Sequence, residues 1–209
     1  MRHRLAILAW LACAAPLRAD EAGAFDYWVL ALSWSPTWCA LEGEARGAEQ
    51  CGRDLGWSLH GLWPQYERGY PEYCATSARD PSRAETGAMA DIMGSGGLAW
   101  HQWQKHGRCS GLAPEAYFEL SRSAYDAVAR PEVLRGLEDP VRLPARVVEE
   151  AFLAADETLF ADAITITCRS GRIQEARICL SRDDLAPRRC GSDVIRDCAA
   201  RDALFAPIR

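Results

Sequence analysis

Three histidines and one lysine carry the chemistry that this chain offers. His60, His101 and His106 fall within a span of 47 residues, and Lys105 sits beside the last of them. Of 24 basic residues Lys105 is the single lysine, the other 23 being arginine. Imidazole gives and takes protons near neutral pH, and a neighbouring ammonium stabilises charge developing on phosphate oxygens. The set suits acid–base catalysis at a phosphodiester. RNA brings its own nucleophile in the 2′-hydroxyl, so cleavage of that kind needs no metal, cofactor or covalent enzyme intermediate.

Two segments must hold these groups in place. Trp57-Ser58-Leu59-His60-Gly61-Leu62-Trp63 alternates large apolar with small or polar residues and stops at Pro64. It reads as a strand with His60 on the face opposite Leu59. Residues 99–106 read as a short helix ended by Gly107. At about 100° per residue, His101 lies at about 0°, Lys105 at 40°, Gln102 at 100° and His106 at 140°. All four share one side of the helix, placed to face a cleft whose other wall is the His60 strand.

The remaining elements follow from composition and periodicity. Residues 25–35, rich in aromatic and aliphatic side chains and followed by Pro36, read as a buried strand. Residues 41–54 are polar and read as a loop, and 66–82 are irregular. A helix is predicted over 84–93, broken by Gly94-Ser95-Gly96-Gly97. Further helices are predicted over 114–129, entered through Pro114, and over 145–155, entered through Pro144. Residues 163–168 and 172–179 are strand-like runs around Ser170-Gly171, hence a hairpin. With no repeat or linker, the expectation is one α+β domain over 20–209.

Composition fixes the setting. The 209 residues are 49% hydrophobic and 25% charged, which suits a globular domain and excludes disorder or a fibrous repeat. A formal charge of −5 argues against holding nucleic acid by bulk electrostatics. Basic residues 2–4, an apolar run over 5–15 and a small residue, Ala19, before Asp20 match a secretory signal peptide over 1–19. Its removal takes three arginines and no acid, moving the charge from −5 to −8. Cys13 and His3 leave with it. Eight cysteines remain, an even number that in an exported chain reads as up to four disulfides. No CxxC pair supports a zinc ribbon or redox site. A secreted or periplasmic protein is expected, with no membrane span, and nothing indicates more than a monomer.

Trp57-Ser58-Leu59-His60-Gly61-Leu62-Trp63-Pro64 and Trp100-His101-Gln102-Trp103-Gln104-Lys105-His106-Gly107-Arg108-Cys109 resemble the two active-site segments of the ribonuclease T2 family. The likeness extends over nearly the whole mature chain. It implies an α+β fold with a central antiparallel sheet and packed helices. The implied activity is metal-independent cleavage of single-stranded RNA through a 2′,3′-cyclic phosphate. By the resemblance His106 is the base that takes the 2′-hydroxyl proton and His60 the acid that protonates the leaving 5′-oxygen. His101 holds the phosphate and Lys105 offsets transition-state charge. Trp63 matches a position that stacks on a base, and Gln65 lies where family members contact the second base. The implied disulfides are Cys39–Cys51, Cys74–Cys109, Cys168–Cys198 and Cys179–Cys190.

Gln102 departs from the family pattern, which has glutamate there. Glutamine keeps a hydrogen-bonding oxygen but loses the charge, so His106 is expected to stay neutral to lower pH and turnover to be reduced. Two other readings stand beside the enzyme. One is a weakly active RNA-binding or inhibitor-type module, supported by Gln102 alone. The other is a secreted metal-binding protein using His60, His106 and Cys109.

Overall fold

The computed structural model describes residues 20–208. The expected signal peptide, with Cys13 and His3, lies outside the described residues.

Six strands form one sheet: β1 (Tyr27–Trp34), β2 (Trp57–Gln65), β3 (Val141–Leu143), β4 (Ile164–Arg169), β5 (Arg172–Ser181) and β6 (Ala203–Phe205). The order is β2-β1-β5-β6-β3, with β4 on the other edge of β5. All pairings are antiparallel except the single parallel contact of β5 with β6 at Arg172 and Leu204. The fold is the α+β arrangement that the sequence implies. Ser170 and Gly171, with φ of 50° and 71°, make the two-residue turn between β4 and β5. That left-handed pair matches the twist of the flanking strands.

Alternation along β1 separates two faces. Trp28, Leu30, Leu32 and Trp34 join the large core, while Tyr27, Val29 and Ala31 pack into a smaller cluster with Trp63 and Cys179. The helices cover the first face. In chain order they are α1 (Ser35–Trp38), α2 (Arg83–Ala88), α3 (Ala90–Met93), α4 (Gly96–Lys105), α5 (Pro114–Ala127), α6 (Glu132–Arg135) and α7 (Ala145–Ala155). The second face is the floor of the site.

Three local expectations change. Residues 41–54 are not a loop but a chain of helical turns, Cys39–Gly43, Glu44–Arg46 and Glu49–Gly52, folded back by the Cys39–Cys51 disulfide. The helix over 84–93 is two short ones hinged at Met89, whose φ of −89° and ψ of −6° leave the helical range. The helix expected over 99–106 spans Gly96–Lys105: the Ser95 hydroxyl accepts from the Leu98 N–H, so it begins within the glycine run.

Disulfides join Cys39–Cys51, Cys74–Cys109, Cys168–Cys198 and Cys179–Cys190. Cys109 is therefore committed to sulfur and is not free to ligate a metal. Among the described residues, no helix is long and apolar enough to cross a membrane.

Candidate active site

The sheet itself aims the first histidine. β1 and β2 run in register until Ala31 pairs with Gly61 and Leu32 with Leu59, leaving His60 as the extra residue of a bulge. The bulge shifts the alternation by one, so Leu59 and Leu62 both enter the large core. Trp63 then falls on the opposite face. Without it, Trp63 would share the face of Leu59. Gly61 is required there, since a Cβ would lie 2.4 Å from Gln102 Oε1 and 2.5 Å from Trp63 Nε1.

All seven site residues predicted from the sequence line one cavity of about 330 Å³: His60, Trp63 and Gln65 from β2, and His101, Gln102, Lys105 and His106 from α4 and its end. Trp63 ties the two groups together. Its ring stacks on His106 at 5.1 Å between centroids and meets His60 edge-on at 5.2 Å. Its indole N–H donates to Gln102 Oε1 at 2.7 Å. Trp63 and Gln65 thus face the same cavity.

His106 is buried, and its Nδ1 has no hydrogen-bond partner. Burial, followed by the charge of Lys105 and the neighbouring His60 and His101, lowers its pKa to about 3. The imidazole is neutral under ordinary conditions and fit to accept a proton. Neutrality was expected from the missing carboxylate at Gln102, but desolvation is the larger cause. Lys105 Nζ lies 3.4 Å from Glu72 Oε2 and 5.6 Å from the Tyr70 ring centre. Those two partners arrive on a segment that the Cys74–Cys109 disulfide and the Tyr73 N–H bond to the Lys105 carbonyl fasten to the end of α4.

Sequence reasoning missed Glu175 and Arg177. Both stand on β5 with Cys179, on the face that carries the cavity. Glu175, 1% exposed, accepts from His60 Nδ1 at 2.6 Å and from Arg177 at 2.8 Å on its second oxygen. Burial alone would raise its pKa, but the His60 hydrogen bond and charge and the Arg177 guanidinium outweigh it and hold the carboxyl well below its usual range. The Arg177 guanidinium also lies 5.3 Å from the Trp63 ring centre. The available signal was an acid inside an apolar central strand, where an unpaired charge is costly. Its partner lies 115 residues away in the chain.

A second cavity, of about 500 Å³, shares His60 and His101 with the first and is walled by Glu175, Gln50, Ser95 and Leu98. His106 belongs to the first cavity and not to the second. His60 and His101 thus stand where the two cavities meet, while His106 lines the first alone.

The sequence model of the ribonuclease T2 family matches residues 25–190. A protein of Aeromonas hydrophila named "Ribonuclease" is 43% identical over 123 residues, covering 59% of this chain and 51% of that protein. The matched stretch thus spans about half the length of that relative. Ribonuclease I of Escherichia coli is 26% identical over 196 residues, covering 73% of each. Among solved structures, an RNase-related protein from Calystegia sepium superposes with a TM-score of 0.67 at 19% identity, covering 88% of this chain and 98% of that one. RNase NT in complex with 5′-AMP gives 0.61 at 17% identity, with the same coverage.

Proposed function

The chain belongs to the ribonuclease T2 family, and from that premise we propose that it is an endoribonuclease cleaving single-stranded RNA by metal-independent transphosphorylation. The observation that carries this is the convergence of His60, His101, Lys105 and His106 on one cavity. In the proposed reaction neutral His106 takes the proton of the 2′-hydroxyl, and the 2′-oxygen attacks phosphorus. The bond to the 5′-oxygen breaks as His60 delivers a proton to it, leaving a 2′,3′-cyclic phosphate. His101 and Lys105 hold the phosphate and offset its growing charge.

The two cavities give the substrate a direction. His106 acts on the 2′-hydroxyl, so the nucleoside that bears it is placed in the first cavity, against Trp63, Tyr70 and Gln65, which assigns Gln65 to this first base rather than to the second base that the resemblance implies. His60 acts on the leaving oxygen, so the departing nucleoside occupies the second. The acidic chain then holds RNA at these local sites rather than by a basic surface. The four disulfides support a secreted or periplasmic setting, and the protein is taken to act as a monomer.

Incubation of the pure protein with RNA in excess EDTA tests the reading. The expected result is metal-resistant cleavage with a 2′,3′-cyclic phosphate product, abolished by His60→Ala and by His106→Ala separately. Binding without cleavage would favour the inactive RNA-binding module, and loss on chelation would favour a metal-dependent protein.

A further inference from the structure

We infer that Glu175 is a positioning residue for His60, fixing the imidazole so that Nε2 is the nitrogen facing the leaving group. The inference rests on the ribonuclease reading above and goes beyond it by giving the proposed acid a dedicated partner. A carboxylate only accepts, so the 2.6 Å contact requires that His60 Nδ1 carry the proton. The exchangeable site is then Nε2.

Each oxygen of Glu175 has a separate task. Oε1 takes His60, while Oε2 takes both the Nε and the second nitrogen of Arg177, at 3.0 and 2.8 Å. Arg177 therefore sets the plane of the carboxylate, and the carboxylate sets the imidazole. Glu175 lines the second cavity but is 1% exposed, with its oxygens turned to His60 and Arg177, so its effect is exerted through His60. An ion pair buried merely to hold the strand would be no better than apolar packing. His60 reaches Glu175 on β5 across β1, which lies between the two strands. His106 has no such partner at Nδ1, which marks the two histidines for different roles. The base starts neutral and needs no ion pair. The acid must present a proton in a fixed direction and is itself stabilised, while charged, by the carboxylate behind it.

Two substrates sharing the 5′ nucleoside that the wild type cleaves fastest separate this role from a structural one. One is a dinucleoside phosphate, whose alkoxide needs a proton to leave. The other is the nucleoside 3′-(4-nitrophenyl phosphate), whose phenolate leaves without one. In Glu175→Gln the single oxygen goes to Arg177 and an amide N–H faces His60 Nδ1, so kcat/KM on the dinucleotide should fall about 100-fold, within the range that a general acid supplies. On the aryl ester it should stay within a factor of about 3, which also shows that the variant folds. The wild type should show a far-downfield proton resonance for His60 Nδ1–H that the variant lacks. Equal losses on both substrates, or none on either, overturn the inference while leaving the ribonuclease reading intact. A wild type that cleaves neither substrate overturns the ribonuclease reading, and the positioning role with it.

Discussion

Trp63 donates its indole N–H to Gln102 across 2.7 Å, and both side chains are buried. Gln102 is thus the anchor of the indole, and the indole is the spacer between His60 and His106. A glutamate at this place would keep the acceptor and add a charge beside a histidine that has none. Gln102→Glu should therefore leave the indole bond intact, raise the pKa of His106 from about 3, and move the acid limb of kcat/KM to higher pH. Above that limb the added charge should speed turnover roughly 10-fold, a modest share of what one preorganised contact can supply. Steady-state rates across pH decide it. A variant that is no faster at any pH refutes this account of the substitution.

Burial of His106 makes the fold itself sensitive to acid. Its folded pKa is about 3, lowered mainly by desolvation, whereas an unfolded histidine titrates near 6.5. As pH falls below about 6.5 the unfolded chain takes up a proton that the fold refuses, so stability present at neutral pH is lost down to about 3. The loss across that window is on the order of 5 kcal/mol. His106→Asn should remove it. Urea midpoints measured from neutral to mildly acid pH should fall more steeply for the wild type than for the variant. Parallel curves would mean that the imidazole is not held neutral by burial.

The legible part of the site was the part written in continuous segments. Residues 57–65 and 100–109 each fall on one element, so strand alternation and helical spacing could place their side chains on common faces. Even there the alternation was one residue out of phase beyond His60, because a bulge depends on the partner strand β1. Glu175 was illegible because its meaning comes from His60, and Glu72 because its approach to Lys105 depends on a turn held by a disulfide. In the fold, β3 and β6 have three residues each, too few to show a period. The helical turns after Trp38 are set by closure of Cys39 on Cys51 rather than by apolar spacing.

The Cys74–Cys109 disulfide should matter for substrate binding as well as for stability. It closes a loop of 35 residues, worth about 4 kcal/mol by chain entropy. It also fastens the segment that carries Tyr70 and Glu72 to the end of α4, beside Lys105 and His106. Replacing both cysteines by serine should lower stability by about that amount. It should raise KM for RNA more than it lowers kcat, since the histidines stay on β2 and α4. Chemical denaturation and steady-state kinetics report the two effects. A drop in kcat with KM unchanged would show that the disulfide holds the reacting groups themselves.

Lys105 is the only lysine in a chain of arginines, and its surroundings give a reason. Its ammonium stands 3.4 Å from Glu72, with 27% of the side chain exposed, over the Tyr70 ring at the mouth of the cavity. A compact point charge fits between that ring and a phosphate, whereas a planar guanidinium would pair with Glu72 in fork geometry and turn away. Lys105→Arg should therefore lower kcat/KM by about 10-fold despite keeping the charge, and Lys105→Ala by about 100-fold, on the scale of one lost transition-state contact. Glu72→Gln tests the same idea from the other side. The pair is half in solvent, so its loss should change stability by less than about 1 kcal/mol. KM for RNA should fall, because the ammonium no longer divides its attraction between a carboxylate and the substrate. Full activity in Lys105→Arg would make the lysine an accident of composition.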